Sequence, residues 1–146
     1  MPLTSPPPQV LPITAEWCLE APSAAEPARC IQLEVASTPQ QLQRGLMGRP
    51  PLPAWQGMLF PFQPPQLVRF WMHRTPAALD MLFLRDGRVI AIEAGAQPCP
   101  RLPCRSYGPD AAVDGVVELG AGQAEALGLR VGSPAVIQAK GRRPSR

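Results

Sequence analysis

The sequence predicts a mainly-β fold: a single compact β-sandwich or barrel-like domain with two short helices. Three observations lead there. Several short stretches alternate apolar and polar residues at the two-residue period of a half-buried strand. Asp86-Gly87 lies between two apolar runs, the pattern of a two-residue hairpin turn. The chain carries 21 prolines in 146 residues, and proline fits poorly inside helices and central strands.

Each element follows in order. Residues 1–9 are Pro-rich and read as a flexible start. Val10 to Leu19 can form a strand despite Pro12 if it lies at a sheet edge. In Ala28 to Ala36, Ile31, Leu33 and Val35 alternate with Gln32 and Glu34, a second strand. A hairpin centred near Ala24 sets Cys18 opposite Cys30, close enough for the sulfurs to meet. Thr38-Pro39-Gln40-Gln41 starts a helix near residues 39–46: Thr38 caps it, Pro39 suits the first position, and Gln41 completes a capping box. Gly45, Gly48 and Pro50-Pro51 end it. Gly57 to Phe62, Leu67 to Met72 and Leu79 to Arg85 read as strands, and the Asp86-Gly87 turn leads into Arg88 to Ala94. Val113 to Leu119 is a further strand. A short helix near residues 122–128 closes at Gly128, with Leu129 placed for the contact that accompanies such a cap. Pro134 to Lys140 is the last strand. Residues 10–140 make one domain, with no internal repeat and no βαβ alternation, and 141–146 form a basic disordered tail.

Charge and length exclude several classes. Lys140, Arg142, Arg143 and Arg146 account for the net charge of +3, so the body alone is close to neutral. Nucleic-acid binding needs clustered phosphate contacts, and none of its sequence signatures occurs, so nucleic acid is not an expected partner. No run reaches the roughly 18 apolar residues of a membrane span. The first residues lack a basic region followed by an apolar one, so the chain as written reads as cytoplasmic. A leader missing from it would make the location extracytoplasmic instead. The expected partner is a small ligand or a protein, and no oligomeric state follows.

Phe70-Trp71-Met72-x-x-Thr75, followed by Leu79-Asp80, resembles the signature of the bacterial domain of unknown function 192. Arg44-Gly45-Leu46-Met47 and Gly57-Met58-Leu59-Phe60 resemble its upstream motifs. Glu118-Leu119-x-Ala121-Gly122, then Leu127-Gly128-Leu129-x-Val131-Gly132, resemble its end. The likeness covers roughly residues 30 to 140. It implies a compact, mainly-β single domain and no particular activity. Members of that family often carry leader sequences, and they commonly have Lys-Asn where this chain has His73-Arg74.

The candidate chemistry gathers between Phe70 and Tyr107. Cys99 and Cys104, with Pro100 and Pro103 bending the segment between them, form the expected disulfide, with inert thiols as the plain alternative. A zinc site on Cys18, Cys30, Cys99 and Cys104 is the rival, although structural zinc cysteines usually come in closer pairs. No metal and no cofactor is expected. His73 is the only imidazole, so a multi-histidine site is out of reach, and the plain reading is a loop residue. Asp80 heads an apolar strand, where it can hold the Arg74-Thr75-Pro76 turn; if buried, it calls for Arg44 or Arg74 as counter-ion. Pleat alternation puts Phe70 and Trp71 on opposite faces, one in the core and one outward.

The leading functional reading is a non-catalytic β module that binds a small ligand, a glycan or a protein. Its binding surface would comprise Trp71, His73, Arg74, Thr75, Asp80, Tyr107 and Arg44, where aromatic faces and guanidinium groups suit sugars or anions. The alternatives are a small hydrolase using Asp80 and His73 as catalytic residues and a structural or assembly domain.

Overall fold

β1 (Ile13–Leu19) and β2 (Arg29–Val35) form the expected antiparallel hairpin, with Cys18 directly opposite Cys30. In this computed structural model, which describes residues 7–141, the two sulfurs are bonded and the Cα atoms lie 3.9 Å apart. α1 (Pro39–Arg44) begins as its sequence dictates. The Gln41 N–H donates to Thr38 Oγ1 at 3.2 Å, and the Thr38 N–H donates to Gln41 Oε1 at 3.2 Å. Both orphan donors of the helix start are thereby satisfied.

The chain then returns as β3 (Gln56–Gln66), parallel to β2. β2, α1 and β3 are therefore one βαβ crossover, which the sequence reading did not anticipate. The helix and both flanking strands are expected from the sequence, but nothing in their patterns states that β2 and β3 pair in parallel. The expected strand over 67–72 reduces to β4 (Phe70–Trp71). It pairs with β7 (Ser106–Tyr107), likewise unforeseen, in a separate two-stranded sheet. β5 (Leu79–Arg85) and β6 (Arg88–Ala96) make the hairpin around Asp86-Gly87. Both turn residues have positive φ (51° and 74°), as this turn type requires. β8 (Val113–Gly120), α2 (Gln123–Ala126) and β9 (Ile137–Ala139) complete the chain. At the end of α2, the Leu129 N–H donates to Ala124 O at 2.8 Å and the Gly128 N–H to Glu125 O at 3.0 Å, and Leu129 packs into the core with Ala124.

The main sheet has seven strands in the order β6-β5-β8-β3-β2-β1-β9. It rolls until its ends approach. The Val89 N–H donates to Ser133 O, the Gly132 N–H to Val89 O, and the Ala135 N–H to Gly87 O, all within 3.0 Å. β6 and β9 form no ladder, so the sheet is barrel-like without being a closed barrel. The inner face holds Trp17, Ile31, Leu33, Leu82, Val117 and Leu119, capped by α2 and the Leu129 segment. The outer face carries a second core of Met58, Phe60, Met81, Phe83 and Val116, against which α1 and the β4–β7 ribbon pack. With β5 and β8 covered on both faces, their sequences read as continuous apolar runs rather than alternation.

Of the expected flexible start, residues 1–6 lie outside the described residues, as do 142–146 of the tail. Gln9 is docked: its side-chain amide donates to Gln41 O and Gly45 O at 3.0 and 2.9 Å. It leads into a buried ion pair. Glu34 and Arg49 meet bidentately at 2.9 Å, and Glu34 Oε1 also accepts the Leu11 N–H at 2.7 Å. Glu34 sits in a strand whose polar residues were expected to face solvent, so the sequence did not disclose this pair. Removing one partner strands a buried charge, at a cost of about 3–5 kcal/mol. Arg49→Met should therefore lower the unfolding free energy from denaturant titration by that amount, and adding Glu34→Gln should recover part of it. A loss below about 1 kcal/mol for Arg49→Met would show the pair to be dispensable.

Candidate functional site

The outer face of the sheet carries a cavity of about 450 Å³. Its floor is the sheet itself, through Phe60 of β3 and Glu118 of β8, and its walls are the turn after α1 and the segment from Gln66 to Trp71. Local rules build each wall. α1 ends at Gly45, whose φ of 50° favours glycine, and a Cβ there would come within 3.2 Å of the Phe60 ring. The helix therefore stops directly against the floor. The Gly48 N–H donates to Arg74 O at 2.8 Å, tying the turn after α1 to the turn after β4. Phe70 packs edge-to-face against Phe60, Phe62 and Phe83, with centroids 5.0, 6.2 and 6.3 Å apart. Such pairs add about 0.5–1.5 kcal/mol each beyond simple burial. Phe70 thus takes the inward position and Trp71 the outward one, 45% exposed at the cavity mouth. Arg69 braces the far wall, donating to Val68 O, Pro109 O and the Asp110 carboxylate at 2.8–3.0 Å.

Glu118 is the group that sequence reasoning missed. It is 4% exposed and lines the cavity, and its cross-strand neighbours are Met58 on β3 and Met81 on β5. Its carboxyl has no ion-pair partner among the described residues, and burial pushes its pKa up from 4.5 to about 8. The signal was available: an acid near the end of an apolar strand, inside the Glu118-Leu119 motif, on the same face as Val116.

The structure divides the expected binding residues. Arg44, Trp71 and Thr75 line the cavity. Thr75 is buried, and Arg44 is half-buried with no acid within ion-pair distance among the described residues. His73, Arg74 and Tyr107 lie outside the lining. His73 Nδ1 is 3.2 Å from Cys99 O, and its ring is 5.1 Å from that of Trp71. Arg74 is exposed at a turn with φ of 60°. Tyr107 is buried, with the Arg105 guanidinium 4.9 Å from its ring centroid.

Asp80 requires a correction. It does not hold the Arg74-Thr75-Pro76 turn, and neither Arg44 nor Arg74 is its counter-ion. It is 1% exposed on the inner face, paired in register with Leu119, and its two oxygens accept the Gly95 N–H at 2.8 Å and the Ala124 N–H at 2.9 Å. Those donors come from β6 and α2, elements too distant in sequence for local turn rules to link. Asp80 and the cavity occupy opposite faces of the sheet, and no hydrogen bond joins Asp80 to His73 among the described residues.

Cys99 and Cys104 are bonded as expected, with Cα atoms 5.8 Å apart. The four sulfurs pair two by two, which leaves no four-thiolate zinc set. The 99–104 loop is anchored to β4 through the Cys99 N–H, which donates to Met72 O at 3.2 Å.

The raised pKa of Glu118 fixes the sign of a pH dependence. The folded state holds this proton more tightly than the unfolded state, so the contribution of Glu118 to stability falls as pH rises from 4.5 to about 8 and then levels off. The slope is at most about 1.4 kcal/mol per pH unit. The residues beside it on the neighbouring strands are Met58 and Met81, while Arg44 and Arg69 line the same cavity without an ion pair to it among the described residues. Glu118→Gln should flatten this segment of the stability–pH curve and unfold at higher temperature than wild type at pH 8.5. Parallel curves for the two proteins would show that Glu118 ionises normally.

Comparison with known proteins follows the same geometry. The chain is similar to a proposed transcription regulator from Sinorhizobium meliloti 1021, at 29% identity and a TM-score of 0.72, over 88% of this chain and 95% of that one. It is also similar to a protein of unknown function from Novosphingobium aromaticivorans DSM 12444, at 27% identity and a TM-score of 0.70, over 86% of this chain and 83% of that one. No curated protein matches. Residues 21–137 match DUF192, described as uncharacterized ACR. That match takes in each motif that supplies the cavity: Arg44 to Met47, Phe60, Phe70 to Thr75, and Glu118. The chain belongs to the DUF192 family.

Proposed function

We infer that the outer-face cavity binds a small, largely apolar ligand and that the protein is a binding module rather than an enzyme. The observation that carries this reading is Glu118. A carboxyl buried without a partner is costly, and such groups cluster at functional sites. This one opens onto a cavity whose size and aromatic lining suit a small molecule. Rigid walls favour binding: Phe70 is fixed by three rings, Arg69 by three acceptors, and the turn after α1 by the Gly48 hydrogen bond. The hydrolase reading loses its support, because both Asp80 oxygens are occupied on the other face of the sheet. Two disulfides favour an oxidising, extracytoplasmic compartment over the cytoplasm. Among the described residues, no helix is long and apolar enough to cross a membrane. A regulator role like the one in the Sinorhizobium protein's description finds no support in this sequence, which carries no nucleic-acid-binding signature.

A fragment screen by thermal shift, under non-reducing conditions, tests this reading. Hits should be lost or weakened in Trp71→Ala, which opens the cavity mouth, and kept in His73→Ala. Asp80→Asn should lower Tm by removing a buried acceptor, worth about 1–3 kcal/mol, yet leave the same hits in place. Hits that survive Trp71→Ala and vanish with His73→Ala would move the site to the Cys99 loop.

A further inference from the structure

We propose that the ligand is a small organic carboxylate with an apolar ring, its carboxylate received by Arg44 and a neutral oxygen function at its other end meeting Glu118. This rests on the reading of the cavity as a ligand site and adds the chemical class.

Of the two arginines lining the cavity, Arg69 is engaged by Asp110 at 2.9 Å and by two backbone carbonyls. Arg44 is half-buried at the wall and has no ion-pair partner among the described residues. No ion pair joins Glu118 to it among the described residues, and burial raises the pKa of that carboxyl to about 8. The cavity therefore holds one uncompensated positive charge. A ligand ammonium would meet this charge and gain no ionised partner at the floor. A singly charged anion balances it, and a carboxylate matches the planar fork of one guanidinium. A phosphate dianion would ask for more cations than the cavity supplies.

Shape sets the rest. A cavity of about 450 Å³ corresponds to the liquid volume of roughly 15 waters, which admits a substituted ring with solvent beside it. Besides its polar groups the lining includes Phe60, Phe62, Phe70 and Trp71 with the aliphatic Leu42 and Leu67, which suits an apolar ring. At the floor, a protonated carboxyl both donates and accepts, so a hydroxyl or carbonyl oxygen is the group it complements. The flanking Met58 and Met81 leave no alternative partner on the neighbouring strands.

Four probes that differ only at their ends test this: 4-hydroxyphenylacetate, phenylacetate, 4-hydroxyphenylethanol and tyramine, each titrated by thermal shift and calorimetry on the oxidised protein. 4-Hydroxyphenylacetate should stabilise most, by about 4 °C at tenfold excess over Kd. Arg44→Gln should weaken both acids at least tenfold and leave the neutral alcohol unchanged. Glu118→Met, which continues the row of methionines and should fold, should erase the preference for 4-hydroxyphenylacetate over phenylacetate and leave the demand for the acid intact. Tyramine or the alcohol binding as tightly as the acids would overturn the carboxylate assignment while leaving the cavity a ligand site. If no probe shifts Tm at millimolar concentration, the assignment also falls, and the fragment screen on Trp71→Ala then decides the cavity reading separately.

Discussion

A carboxyl on a strand buried on both faces must be given partners or left protonated, and this protein does one on each side of its sheet. Asp80 on β5 and Glu118 on β8 lie on adjacent strands, one residue apart in register, with side chains on opposite faces. Asp80 receives two backbone N–H groups, and in doing so it fastens the end of β6 and the first turn of α2 to the middle of the sheet. Glu118 receives none among the described residues and opens instead onto the cavity. One acid holds the inner face together. The other defines what the outer face can do.

The outer face serves that arrangement. The βαβ crossover places α1 over β3 and ends it against Phe60, and the β4–β7 ribbon closes the opposite wall through Phe70. The Glu34–Arg49 pair ties the incoming chain at Gln9 and Leu11 to the loop that follows α1, so the wall carrying Arg44 is anchored at both ends. On the ribbon side, the Cys99–Cys104 bridge closes a loop bonded to Met72 and His73. The cavity thus sits between fixed parts, as a pre-formed binding site requires.

Local chemistry was legible in the sequence wherever the interaction itself was local. The Thr38 capping box, the Asp86-Gly87 turn, the Gly128 cap and the Cys18–Cys30 register all arise from residues a few positions apart or on one hairpin, and each stands as read. The two-residue strands β4 and β7 were not legible, because they are defined by their pairing with each other rather than by any pattern of their own. Asp80 was recognised as important and given the wrong partners, since Gly95 and Ala124 reach it only through the fold. Arg44, Trp71 and Thr75 were found from residue type and motif. Glu118 is marked in the sequence only as an acid within an apolar strand, and that the face it shares with Val116 opens onto a cavity is set by the fold.

The central claim is that Glu118 is a buried carboxyl kept protonated by the lack of a partner, and a carbon-detected NMR titration of its side-chain carboxyl in the ligand-free, oxidised protein tests it most directly. The account predicts a midpoint near 8. A midpoint at the ordinary value near 4.5 would contradict it, because the group would then have solvent or a cation beside it and the floor of the cavity would carry a charge.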